Sequence, residues 1–236
     1  MTPAPVRPLV LTGPIAPLGE DGASSAIDKR PGPAPWRIGA TGLEGDAQAD
    51  RKYHGGPEKA LHHYAFEHYA DWAKEIGDAQ ALEAAGAFGE NLSTTGWTEA
   101  NVCVGDIVRF GSALLQVSQG RQPCFKLNIR FHCPDMAARV QKTGRTGWYY
   151  RVLETGVAEE GDLLRLVDRP RPHWLLERLT RLLYRDTMDR EGLTAMAALP
   201  ELAQNWRDLA RRRLESGKVE DWDRRLFGEG SALRQR

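Results

Sequence analysis

Val102-Cys103-Val104-Gly105-Asp106-Ile107-Val108-Arg109-Phe110-Gly111-Ser112-Ala113-Leu114-Leu115-Gln116-Val117-Ser118 is the stretch that decides the fold. Two runs rich in β-branched and aromatic residues, Val102–Phe110 and Ala113–Ser118, flank Gly111-Ser112, a pairing that predicts a β-hairpin. Downstream, Phe125–Phe131 reads as another strand and Pro134–Thr143 as a short helix stopped at Gly144. Trp148–Leu153 and Leu163–Val167 read as closing strands. Upstream, Val10–Thr12 and Trp36–Ile38 are short extended stretches in a Pro- and Gly-rich leader of forty residues. Pro57 is placed to open a helix, and Leu61, Tyr64, Ala65, His68, Trp72 and Ile76 recur at helical spacing up to Gly77. Many short strands between glycine turns, with few helices, predict a mainly β protein built on a barrel with peripheral helices.

Asp168-Arg169-Pro170-Arg171-Pro172 interrupts both helix and sheet, and beyond it the strand pattern stops. Trp174–Tyr184, Glu191–Ala198 and Glu201–Ser216 read as three helices that pack on one another or on the barrel. The expected organisation is a barrel domain over 1–168 and a small three-helix C-terminal domain over 169–236.

Lys+Arg and Asp+Glu both number 32, so no cationic excess is present to hold nucleic acid by bulk charge. The run Arg211-Arg212-Arg213, with Arg207, reads as a solvated helix face rather than a nucleic-acid patch. Three cysteines, an odd number with no Cys-x-x-Cys, argue against a disulfide framework and a zinc ribbon, and fit a reducing compartment. No apolar run is long enough to span a bilayer, and the proline-broken start lacks the form of a signal peptide, so a cytoplasmic protein is expected.

The chemistry gathers around Gly120-Arg121-Gln122-Pro123-Cys124-Phe125-Lys126. Arg121 and Lys126 place two cations near Cys124, which favours the thiolate, a nucleophile and a soft metal ligand. Cys103 and Cys133 lack such flanks, and Cys103 reads as core. His54, His62, His63 and His68 are clustered, but no His pair has i,i+3 or i,i+4 spacing and no His-Glu-x-x-His occurs, so zinc is disfavoured. His62, His63 and His68 read as surface and half-buried residues of an amphipathic helix. His54 precedes Gly55-Gly56 at a helix mouth, where backbone N–H groups approach an anion, and Lys59 adds a cation in the first turn. Lys29, Arg30, Arg51 and Lys52 are either members of the same cationic pocket or solvated surface charges.

Taken in order, these pieces resemble the MOSC family. Ser25-Ala26-Ile27-Asp28-Lys29 resembles its entry motif, and Gly42–Asp46 and His54-Gly55-Gly56 with Lys59-Ala60 its central loops. Phe88-Gly89-Glu90-Asn91-Leu92 and Arg121-Gln122-Pro123-Cys124-Phe125-Lys126-Leu127 resemble the third and fourth. The closest resemblance is to the YiiM-like, N-hydroxylaminopurine-resistance branch. It continues through the three helices to Ser216–Trp222 and Arg224–Gly228; Pro31–Pro35 is richer in Pro and Gly than that pattern.

The resemblance implies a barrel that holds a molybdenum cofactor of the molybdopterin type, with Cys124 as both catalytic residue and molybdenum ligand. It also implies reduction of N-hydroxylated bases and related compounds. Lys29, His54, Gly55, Gly56, Lys59, Arg121 and Lys126 would supply the cations and backbone donors for a pterin phosphate, and Asn91 would meet the pterin edge. No flavin or nicotinamide fingerprint is visible, so electrons would come from a separate redox partner. The alternative is a cofactor or sulfur carrier in which Cys124 holds a persulfide or delivers the cofactor without turnover.

Overall fold

A computed structural model of the chain describes residues 3–20, 22–49, 55–77 and 80–228. The hairpin at the centre of the sequence is present. Strand β9 (Ile107–Phe110) pairs antiparallel with β10 (Ala113–Gly120), which also pairs with β11 (Trp148–Glu154). Phe110, Val108, Leu115 and Val117 are fully buried on its inner face. The first strand is shorter than expected, because Cys103 to Asp106 form a turn in which the Asp106 carboxylate accepts from the Cys103 N–H at 2.9 Å.

Around that hairpin an eight-stranded sheet runs β13 (Arg165–Asp168), β9, β10, β11, β7 (Leu61–Ala65), β8 (Leu92–Thr94), β1 (Leu9–Thr12), β4 (Arg30–Pro31). The sheet curls. Val6, before β1, and Leu164, before β13, exchange two backbone hydrogen bonds of 3.1 and 2.8 Å, which join the far sides of the sheet. Smaller sheets lie outside it: β12 (Gly156–Ala158) with β5 (Trp36–Gly39) and β6 (Gly42–Leu43), and β2 (Ala16–Leu18) with β3 (Ala23–Ser25).

Two segments differ from the sequence reading. Pro57 opens only a 3-10 turn (Pro57–Lys59), and the helical spacing that follows is divided between β7 and helix α1 (Glu67–Ile76). All five residues of β7 are buried, so the strand lacks the polar alternation that would have announced it. His62 and His63 therefore sit inside the protein on a strand; His68 alone is on the helix. Phe125–Phe131 is a short helix, α2 (Lys126–Arg130), rather than a strand. Its apolar residues recur every second position, but Leu127 and Phe131, four apart, are the pair that enters the core. Helix α3 (Met136–Thr143) ends at Gly144 in the left-handed conformation, as its sequence implies.

The C-terminal part is helical: α4 (Leu176–Tyr184), α5 (Arg190–Ala197), α6 (Gln204–Ser216) and a short α7 (Asp223–Phe227). The whole is a mainly β fold with a small C-terminal helical domain. Leu179, Leu193 and Trp206 belong to the same buried cluster as the inner face of the barrel. Gly120 marks that seam, since a Cβ there would stand 3.2 Å from the Trp206 ring. A second cluster, with Tyr64, Trp72, Phe88 and Phe131 at its centre, supports the opposite end of the sheet. Arg213, read as a solvated charge, is instead 1% exposed. Its guanidinium pairs with Glu220 at 2.6 and 2.9 Å and donates to the carbonyls of Leu183 and Thr187 at 3.0 and 3.3 Å.

Candidate functional site

Where β10 ends, the chain turns out of the sheet through Arg121 and Pro123 to Cys124, at the rim of a cleft enclosing about 590 Å³. Segments distant in sequence supply the other walls: Lys29 after β3, Asp46 after β6, Lys59 and His62 at β7, Gly89 and Asn91 before β8, and Tyr149 on β11. Lys29, Lys59, Asn91, Arg121, Cys124 and Lys126 thus meet in one place. Gly56 lines a neighbouring cleft, Gly55 lies outside both, and His54, like Arg51 and Lys52, falls outside the described residues.

The Asp46 carboxylate organises one wall, and it is a residue the site assignment from sequence missed. It forms an ion pair with the buried Lys29 ammonium and accepts from the Gly13 N–H at 2.9 Å and the Asn91 side-chain amide at 2.8 Å. Burial lowers the Lys29 pKa, and Asp46 opposes that shift by stabilising the cation. Asn91 is a strut of this wall: its amide also donates to the Leu11 carbonyl at 3.2 Å, and its oxygen accepts from the His62 N–H at 3.1 Å. Behind it Glu90, fully buried, accepts from Tyr69 and from the N–H groups of Gly86 and Phe88, which fixes the loop before β8. Gly86 has φ +108, and a Cβ there would fall 2.0 Å from the Lys29 carbonyl, so only glycine lets this loop lie against Lys29.

The opposite wall carries Arg121, Tyr149 and Cys124. Arg121 is 5% exposed, and its Nη1 has no hydrogen-bond partner among the described residues. A guanidinium nitrogen taken from water and left unmatched is costly unless a ligand completes it. Burial raises the Tyr149 phenol pKa; adjacent Arg121 pulls it down, and Cys124 as thiolate pushes it up. The Tyr149 ring lies 5.0 Å from that of His62, with the Lys59 ammonium 5.9 Å from its centroid. His62 is held neutral, its pKa forced well below the usual range by burial and then by Arg121. Neither ring was a sequence candidate, because His62 was assigned to a helix surface and Tyr149 to a strand without a role.

Among the described lining residues four cations, Lys29, Lys59, Arg121 and Lys126, face one carboxylate, Asp46. Cys124 is 8% exposed and opens on this space. The other two cysteines are elsewhere. Cys103 is buried, with burial pushing its thiol up to about 11, and Cys133 contacts Asp135 at 3.3 Å beside α3. No group of three or more His, Cys, Asp or Glu fit to hold a metal occurs among the described residues. A metal at this site would have to bring most of its own ligands.

The neighbouring cleft shares the Asp46–Gln48 wall and is different in charge. Ile38, Leu43 and Val157 give it an apolar lining, and Arg37 and Glu44 at its edge pair with each other at 3.7 Å.

Residues 50–165 match the MOSC domain model, and residues 174–217 match the YiiM-like 3-alpha helix domain. The protein YiiM of Escherichia coli (strain K12) is 42% identical over 220 residues, spanning 93% of this chain and 97% of that protein. This chain belongs to the MOSC family, in its YiiM-like branch. The crystal structure of Escherichia coli YiiM superposes with a TM-score of 0.81 at 36% identity, covering 96% of this chain and all of that one. A Gibberella moniliformis protein named "Reductase" is 41% identical over 194 residues, which are 82% of this chain and 34% of that larger protein. No helix among the described residues is long and apolar enough to cross a membrane.

Proposed function

We propose that this MOSC protein is a molybdenum-cofactor-dependent reductase of N-hydroxylated bases and related N-hydroxylated compounds. The observation that carries the reading is the buried Arg121 with an unmatched Nη1, in the same cationic cleft as Cys124. That donor set fits a molybdopterin: a phosphate is matched by Arg121 with Lys29, Lys59 and Lys126, and the metal by the Cys124 thiolate. When bound, the cofactor supplies the two-electron chemistry at molybdenum.

The chain's own residues bind and exclude. Asp46 and Asn91 keep Lys29 in the wall, Tyr149 and His62 close the floor against water, and Cys124 offers one soft ligand in a space otherwise lined by hard donors. The reaction breaks the N–O bond of the substrate. Two electrons and two protons enter, the nitrogen is left as the amine, and the oxygen leaves as water. The electrons come from a separate redox protein; the "Reductase" relative, two-thirds of which lies outside the match, supports a reductive role. The uncharged part of the base occupies the neighbouring apolar cleft, across the Asp46–Gln48 wall.

The test is molybdenum analysis of the wild type beside Cys124→Ser, with hydroxylaminopurine reduction assayed with a reconstituted electron donor. Stoichiometric molybdenum and turnover in the wild type, both lost in Cys124→Ser, are expected. Full activity in Cys124→Ser refutes the ligand role, and bound molybdenum without turnover converts the reading to a carrier. Thr41→Trp, at the neighbouring cleft alone, raises KM for the base at least tenfold and leaves molybdenum content unchanged; an unchanged KM removes that cleft from the substrate path.

A further inference from the structure

The loop bearing Cys124 is held from outside the barrel. Phe125 donates its N–H to the Arg225 carbonyl at 2.8 Å, and the Arg225 guanidinium donates to the Pro123 carbonyl at 2.5 Å, so one residue of α7 grips the chain on both sides of Cys124. The same guanidinium reaches Gln141 of α3 at 2.6 Å, and Asn128 donates to the Leu226 carbonyl at 2.8 Å. Gly228 lies against the Phe125 ring, where a Cβ would stand at 3.3 Å.

This grip is continuous with the interior of the helical domain. Glu220 joins the buried Arg213 of α6 to the Trp222 indole, which donates to it at 2.8 Å. Trp222 meets the Tyr184 ring of α4 edge-on at 5.7 Å, and the Arg225 guanidinium lies 6.0 Å from the centroid of that same ring. Every link from Arg213 to Pro123 is therefore a hydrogen bond or a ring contact. A surface tail would not need a charge-assisted bond to a backbone carbonyl next to a thiol.

We propose that Glu220–Gly228 is a strap through which the helical domain sets the position of Cys124, with Arg225 as its positioning residue. The geometry explains why a barrel with its own complete core carries the extra helices: they fix a loop that no strand pairing holds. Arg225 acts on Pro123 and Phe125, the neighbours of the thiol, and the helical domain anchors Arg225. The inference rests on the reading of Cys124 as the reactive group, and it does not require that a cofactor be present.

The experiment measures iodoacetamide alkylation of each cysteine in the full-length protein, resolved by peptide mass, for wild type, Arg225→Ala, Arg225→Lys and Gln141→Leu. In Arg225→Ala the Cys124 rate rises at least tenfold while those of Cys103 and Cys133 stay within twofold. Arg225→Lys recovers part of the protection, because an ammonium still reaches one carbonyl but not two acceptors at once. Gln141→Leu moves the Cys124 rate in the same direction by a smaller factor, and serves as the test should Arg225→Ala fail to fold. An unchanged Cys124 rate, or a parallel rise at all three cysteines, overturns the strap. Absence of molybdenum from the wild type overturns the functional reading and leaves the alkylation result to decide the strap separately.

Discussion

Two arginines are almost equally buried, Arg213 in the helical domain and Arg121 in the cleft, and their surroundings are opposite. Arg213 has Glu220 on one side and main-chain carbonyls on the other, a closed arrangement that completes a helix packing. Arg121 keeps one nitrogen unmatched and faces a cleft. The adjacent histidines repeat the contrast. His63 has both ring nitrogens matched, by Tyr150 at 3.0 Å and Thr94 at 2.8 Å, whereas the His62 ring faces the cleft beside Arg121. Burial alone does not separate structural from functional polar groups; completeness of the hydrogen bonding does.

The contrast is sharpest when each arginine is removed. Arg213→Ala strands Glu220 and the carbonyls of α4, and is expected to cost about 3–5 kcal/mol of stability. In a calorimetric scan that is a fall of roughly 6–20 °C in Tm. A loss below about 1 kcal/mol would show that Arg213 is no more closed than Arg121. Arg121→Met replaces an incompletely matched cation with an apolar chain of similar length, so stability should stay within about 1 kcal/mol of wild type. Molybdenum retention should fall at least tenfold, about 1.4 kcal/mol of binding. Loss of fold with intact retention would reverse the assignment of the two residues.

The histidine pair gives a smaller and pH-dependent signal. Burial holds the His63 ring neutral with a pKa of about 3, below its ordinary 6.5. The unfolded chain therefore binds the extra proton first, so this contribution is complete above pH 6.5 and declines as the pH falls from 6.5 toward 3. By pH 5.5 the loss is about 1.4 kcal/mol. Denaturant titrations of wild type and His63→Gln across that window should show this slope for the wild type and its absence in the variant; equal slopes would remove His63 from the closed class.

The features legible in the sequence were those with local causes. Gly111-Ser112 turns a hairpin, Gly144 stops a helix and the Pro170–Pro172 region ends the strands, each through the chemistry of one or two residues. Ordered motifs carried the candidate site, and six of its residues do share one cleft. What stayed hidden depended on partners far along the chain. Leu61–Ala65 is a strand because β11 and β8 flank it, and a segment buried on both faces has no period to display. Arg213 reads as one of a run of surface charges until Glu220 folds back past Gly217 to meet it. Asp46 is likewise an ordinary loop acid until Lys29, Gly13 and Asn91 surround it.

The bridge between Val6 and Leu164 also has a consequence for the order in which a growing chain takes shape. Chain synthesis runs from the amino end, so β1 must wait for its last neighbour until almost the whole barrel has left the ribosome. Contacts of such long sequence separation form late and slowly. Lys29 and Asp46 are made early and Arg121 and Cys124 late, so a competent cleft is among the last things a nascent molecule acquires.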